Sequence, residues 1–164
     1  MIVGRGDIAS IINDREGAIF FASGVSNSNE IREEEYMREK ELLLKQDRSK
    51  CLFYFSSIAI DFPEKLKKSR YLRHKKEMEE MIKENFQNYN IIRIGNITWG
   101  NNPNTFLNFI KNKMKSKEAV YILSEELKFM LDKEQLILMT DNLPLIGKNQ
   151  LSIFGKMVKV KDLL

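Results

Sequence analysis

Tyr71 and Lys75 stand four apart in Ser69-Arg70-Tyr71-Leu72-Arg73-His74-Lys75. Four residues make one helical turn, so the phenol and the ammonium share a face. A nearby cation favours the phenolate and lowers a tyrosine pKa, making the side chain a proton donor and acceptor near neutrality. A hydroxyl at a neighbouring strand end would then hold the substrate oxygen. The run Phe53-Tyr54-Phe55-Ser56-Ser57 ends in two candidates, Ser56 and Ser57. The same Tyr–Lys spacing also suits an ordinary amphipathic helix, so its meaning depends on the rest of the chain.

The N-terminal residues supply a second piece. Met1-Ile2-Val3 is a short β-prone run, followed directly by Gly4-Arg5-Gly6-Asp7-Ile8-Ala9 and then Ser10-Ile11-Ile12. This is the G-x-G-x-x-G/A pattern between a strand and an expected helix over 7–14. Its first glycine permits a tight turn, its second lets backbone approach a pyrophosphate, and its small third residue packs helix on strand. The helix N-terminus would offer N–H groups and a positive dipole end to the phosphates. Asp7 stands out, because a carboxylate beside a phosphate path repels it; Arg5 would compensate.

Taken in order, these segments resemble the short-chain dehydrogenase/reductase superfamily, specifically its extended branch of nucleotide-sugar epimerases, dehydratases and reductases. Gly4 to Ala9 match its glycine-rich turn. Ala22-Ser23-Gly24, within Phe20 to Ser26, looks like the segment passing the cofactor ribose. Ser57 matches the catalytic Ser or Thr, and Tyr71 and Lys75 the Tyr-x-x-x-Lys pair. Ile91 to Gly100 resembles the segment beside nicotinamide and substrate, with Asn96 as a substrate contact. The resemblance implies NAD or NADP as cofactor, a nucleotide sugar as substrate and a homodimer built on the Tyr-bearing helix and its predecessor. It assigns the turn at Gly4, Arg5, Gly6, Asp7 and Ile8 to the cofactor, with Lys75 on the nicotinamide ribose.

The sequence departs from that pattern in three places. Between residues 14 and 18 there is no room for a second strand, a helix and a third strand, so the residue that would hold the adenosine ribose has no counterpart. Ile60-Asp61 stands where a Tyr is usual after the catalytic Ser, and the C-terminal substrate region is a remnant. A non-catalytic binding or partner protein that kept the fold is therefore the rival reading.

The remaining sequence bounds these readings. A chain of 164 residues with 43% hydrophobic and 30% charged residues is expected to fold as one soluble domain. The net charge of +4 is mild and interleaved, so solvated helix faces rather than nucleic-acid binding are expected. One Cys excludes an internal disulfide and one His leaves no metal cluster with Cys51. No apolar stretch reaches membrane length and no signal peptide is read, so a cytoplasmic protein is expected.

Strands are expected at 1–4, 18–22, 51–57, 90–95 and 151–154, and helices at 7–14, 29–46, 68–86, 104–116 and 132–140. Helices alternating with short apolar strands imply an α/β, reduced Rossmann-type fold with a mostly parallel sheet. Gly4, Ser23, Ser57 and Asn96 would then lie at strand carboxyl ends, where such sheets bind ligands. Leu72, Met81 and Phe86, with Tyr36, Leu43 and Leu44, read as a second apolar face open to a partner.

Overall fold

The computed structural model describes residues 1–116 and 126–163. Three runs that are apolar almost without interruption become its central strands: β2 (Ala18–Phe21), β3 (Cys51–Ser57) and β4 (Tyr89–Ile94). Only Ser57 among them is not fully buried, as expected for parallel strands covered on both faces. β1 (Ile2–Val3) and β7 (Lys148–Ile153) complete a five-stranded sheet of order β1-β2-β3-β4-β7, parallel throughout. Here β1 is an edge. The usual doubly wound order places two further strands outside it, and none of the described residues forms them.

Alternation along the strands sorts side chains into two layers. Ile19, Phe21, Leu52, Tyr54 and Ile91 face helices α1 (Glu33–Leu44) and α3 (Arg70–Asn85), which contribute Leu43, Met78 and Ile82. Phe20, Phe53, Phe55, Ile92 and Ile94 face the opposite way, toward Ile12, Leu131 and Leu136. Leu136 lies on α5 (Lys133–Asn142), which opens with a capping box between Asp132 and Gln135. The lone thiol, Cys51, is buried and unpaired, and burial pushes its pKa up.

The helix expected over 68–86 is α3, and a short helix not expected from the sequence precedes it. Pro63 opens α2 (Pro63–Lys68), a first-turn position where its missing N–H costs nothing. Ser69 then adopts an extended conformation and its hydroxyl oxygen caps α3 by accepting from the Leu72 N–H at 3.2 Å. The helix expected over 29–46 begins only at Glu33, where three glutamates favour the positive end of the dipole. Most of the apolar residues read as a second face are used within the chain: Tyr36, Leu43, Leu72 and Phe86 are buried, and Leu44 is exposed.

The helix expected over 7–14 is absent. Residues 7–11 instead form turns, closed by Ser10 N–H on the Gly6 carbonyl and Ile11 N–H on that of Ile8. The Asp7 carbonyl, which a helix would need, accepts the Ser10 hydroxyl at 2.8 Å and the Trp99 indole N–H at 3.0 Å. A second sheet not expected from the sequence joins β5 (Asn96–Ile97), β6 (Leu127–Leu131) and β8 (Lys156–Lys159), with α4 (Phe106–Lys115) beside β5. Side chains bind β7 to β4 as well: Asn149 donates to Asn90, which donates to the Pro144 carbonyl, while Asn88 accepts from Gly147 N–H.

Gly4 holds the turn after β1 against β2. Its φ is +131°, and a Cβ there would lie 2.4 Å from the Ala22 carbonyl oxygen. Gly4→Ala is expected to cost at least about 1–3 kcal/mol. A fall of roughly 3–10 °C in the thermal unfolding midpoint would report it.

Candidate functional site

The carboxyl ends of the parallel strands form one rim. Gly4 follows β1, Ala22 to Gly24 follow β2, Ser57 ends β3, and Gly95-Asn96 follow β4. The sheet thus brings the sequence-selected positions to one edge, where α/β sheets bind ligands.

At the glycine-rich turn, a Cβ on Gly6 would meet nothing within 4 Å, so the space over this residue is open. Asp7 is turned to a different task. Its carboxylate accepts the backbone N–H groups of Asn101 and Asn102 at 3.1 and 3.0 Å. Gly100, at φ +92°, lies so close that a Cβ would fall 2.0 Å from the Asp7 carboxyl carbon. The acid that looked out of place beside phosphates therefore anchors the loop after β5. Arg5 is exposed and Ile8 packs at the margin of the apolar layer.

Ser57 marks the end of β3, and its hydroxyl oxygen accepts the Ala59 N–H at 3.2 Å, capping a short 3-10 turn over Ile58–Asp61. Ser56 faces the other way and donates to Glu79 at 2.7 Å. Asn96 pairs in β5, and its side-chain amide donates to the Phe129 carbonyl at 3.2 Å.

Tyr71 lies in the first turn of α3, half-buried, and no described residue hydrogen-bonds its hydroxyl. The Lys75 ammonium lies 5.8 Å from the Tyr71 ring centre. Contrary to the expected lowering, the phenol pKa is raised. Burial is the larger influence; Lys75 opposes it, and Glu39 adds to it.

Glu39 adds to the effect of burial and engages the lysine. It is fully buried on α1, and one carboxylate oxygen accepts from Lys75 at 3.3 Å and from the Tyr54 hydroxyl at 2.9 Å. The other accepts the Val25 N–H at 2.8 Å and lies 2.9 Å from His74 Nε2. Burial alone would raise the Glu39 pKa, but Lys75, His74 and Val25 together hold it well below the usual carboxylate range. Lys75 also donates to the Tyr54 oxygen at 3.1 Å and is only 4% exposed. Gly24 closes over this pair, since a Cβ there would lie 2.5 Å from the Lys75 nitrogen.

Glu39, His74 and Tyr54 therefore complete the buried cluster around Lys75, and sequence reasoning missed them. One signal was available: Tyr36, Glu39 and Leu43 follow helical spacing, so Glu39 is a charge set in an apolar stripe. His74, read as having no metal role, is buried against the Tyr36 ring at 4.7 Å.

No protein-family model matches the chain, and no curated protein matches it in sequence. Solved structures do match its fold. The protein Pen of Bacillus thuringiensis has a TM-score of 0.68 at 14% identity, over 95% of this chain and 51% of its own. A UDP-glucose 4-epimerase of Thermotoga maritima, solved with UDP-glucose, has a TM-score of 0.66 at 14% identity, over 90% and 58%. The enzyme WbmG of Bordetella bronchiseptica, in complex with NAD and UDP, has a TM-score of 0.65 at 12% identity, over 89% and 53%. The chain thus spans somewhat more than half the length of these proteins, and at such identities the likeness is one of fold. It is a Rossmann-type α/β fold.

Proposed function

We propose that this chain is a reduced member of the extended short-chain dehydrogenase/reductase superfamily, binding NAD or NADP and acting on a hydroxyl or carbonyl of a nucleotide sugar. The observation that carries the reading is Tyr71: a half-buried phenol that no described residue hydrogen-bonds, one helical turn from Lys75. Fold neighbours solved with NAD and UDP, or with UDP-glucose, support the ligand class.

The residues present fit part of the cofactor. The open space over Gly6 suits a pyrophosphate approaching backbone, and Ala22 to Gly24 would line the ribose on the nicotinamide side. No strand of the described residues lies outside β1, where the usual order would supply a residue to hold the adenosine ribose. The bound nicotinamide supplies hydride chemistry. The chain's own contribution is acid–base: Tyr71, kept protonated by its surroundings, donates its proton to a substrate oxygen that Ser57 orients. Lys75 acts on this phenol from within its pair with Glu39.

The test is calorimetric titration with NAD and NADP. Binding is expected in the parent and lost in Gly6→Val, whose side chain would fill the open space. Gly6→Val binding as tightly as the parent would refute this placement. The second reading, a non-catalytic binding or partner protein, is favoured by the engagement of Lys75 with Glu39 and Tyr54. Failure of the parent to bind either dinucleotide would decide for it.

A further inference from the structure

We infer that Glu39 is a positioning residue for Tyr71, cancelling the Lys75 ammonium so that the phenol stays in its proton-donating form. The inference rests on the proposed role of Tyr71 and deepens it. Its basis is geometric. Lys75 reaches Tyr71 only across the ring, at 5.8 Å from its centre, whereas it meets a Glu39 oxygen at 3.3 Å. Both charges are withdrawn from water, Glu39 fully and Lys75 to 4% exposure, so each is felt strongly by its neighbours. An ammonium and a carboxylate bonded to each other present the phenol with little net charge.

The surroundings fix this arrangement from every side. From α1 come Glu39 and the Tyr36 ring; from β3 comes the Tyr54 hydroxyl; from α3 come His74, Lys75 and, one turn further, Glu79. Glu39 is held by four partners: Val25 N–H, His74, Tyr54 and Lys75. The Ser23–Val25 segment thereby closes on the ion pair, and Gly24 leaves no room for a side chain above it. Burial and Glu39 both favour the protonated phenol, against Lys75. A site arranged this way begins as an acid. It donates a proton to a carbonyl oxygen more readily than it removes one from a hydroxyl.

The experiment titrates the Tyr71 phenol by 13C NMR of ring-labelled tyrosine in the free protein, its signal assigned from Tyr71→Phe. Glu39→Gln is expected to lower the midpoint by about one pH unit, leaving Lys75 uncompensated. Lys75→Met is expected to raise it. The double variant, which removes both charges, is expected to return to the parent midpoint. A folded Glu39→Gln with a parent-like midpoint would overturn the inference. So would a double variant that titrates as high as Lys75→Met, since Lys75 would then act on Tyr71 alone and Glu39 would merely support the helix. Should Glu39→Gln not fold, the double variant decides by itself. No cofactor or substrate enters the measurement, so failure to bind NAD leaves this result standing.

Discussion

Replacing Tyr71 by Phe is expected to reduce turnover by about 10²- to 10⁴-fold, the span supplied by a positioned proton donor. Cofactor affinity should stay within a few-fold of the parent, because the change deletes one hydroxyl that no described residue binds. The loss should fall on kcat rather than on KM, as for an interaction made in the transition state. The pH profile carries a second mark. Burial and Glu39 hold the phenol above its ordinary range, so the acid form persists through neutrality. In the reducing direction the parent rate should therefore stay flat between about pH 7 and 9, below the ordinary phenol pKa. Steady-state assays with NADH or NADPH decide both points. Full activity in Tyr71→Phe would end the proposed chemistry.

Arg93→Met is expected to cost stability of about 3–5 kcal/mol, the usual penalty for stripping a partner from a buried charge. Glu79 is fully buried and is gripped at two points, by Arg93 Nε at 2.9 Å and by its terminal nitrogen at 2.6 Å. Arg93 also pairs with Asp61, which accepts the Ser152 hydroxyl on β7 at 3.1 Å. Removing the guanidinium would leave the Glu79 carboxylate, among the described residues, with Ser56 and, at 3.7 Å, Lys76. Thermal melts should drop by roughly 10 °C or more at this chain length. Adding Glu79→Gln to Arg93→Met should recover part of the loss, since a neutral amide costs less to bury than an uncompensated carboxylate. An unchanged melting point in Arg93→Met would mean that the ion pair contributes nothing net.

The parallel sheet was legible because β2, β3 and β4 are buried on both sides and so read as unbroken apolar runs. Those runs also fixed the strand ends, and with them the rim holding Gly4, Ser23 and Ser57. Residues 7–14 misled because apolar Ile8, Ile11 and Ile12 mimic helical spacing. The Asp7 carbonyl instead serves Trp99, some ninety residues away, and local pattern carries no trace of that bond. β6 escaped notice for a related reason: Leu127-Lys128-Phe129-Met130-Leu131 has no clean alternation, and its pairing with β8 is long-range. At the site, Tyr71 and Lys75 were visible as a spacing. Glu39 was passed over because it lies among Glu33, Glu34, Glu35 and Glu41, and only its spacing with Tyr36 and Leu43 sets it apart.

The pairing of β7 with β4 has a consequence for the order of assembly. The partners Asn90 and Asn149 are 59 residues apart, and everything from β1 to β4 is synthesised before β7. A growing chain can therefore form four strands and the α1/α3 layer first. Until β7 arrives, β4 presents an open edge with unpaired backbone groups, the kind that recruits strands from other molecules. Asn90 and Arg93 interrupt the apolar run along that edge, and their amide and charge make it a poor template for a foreign strand. When β7 docks, Asn149, the Pro144 carbonyl and, through Asp61, Ser152 engage those same two side chains. The polar residues that guard the nascent sheet thus become the bolts that finish it.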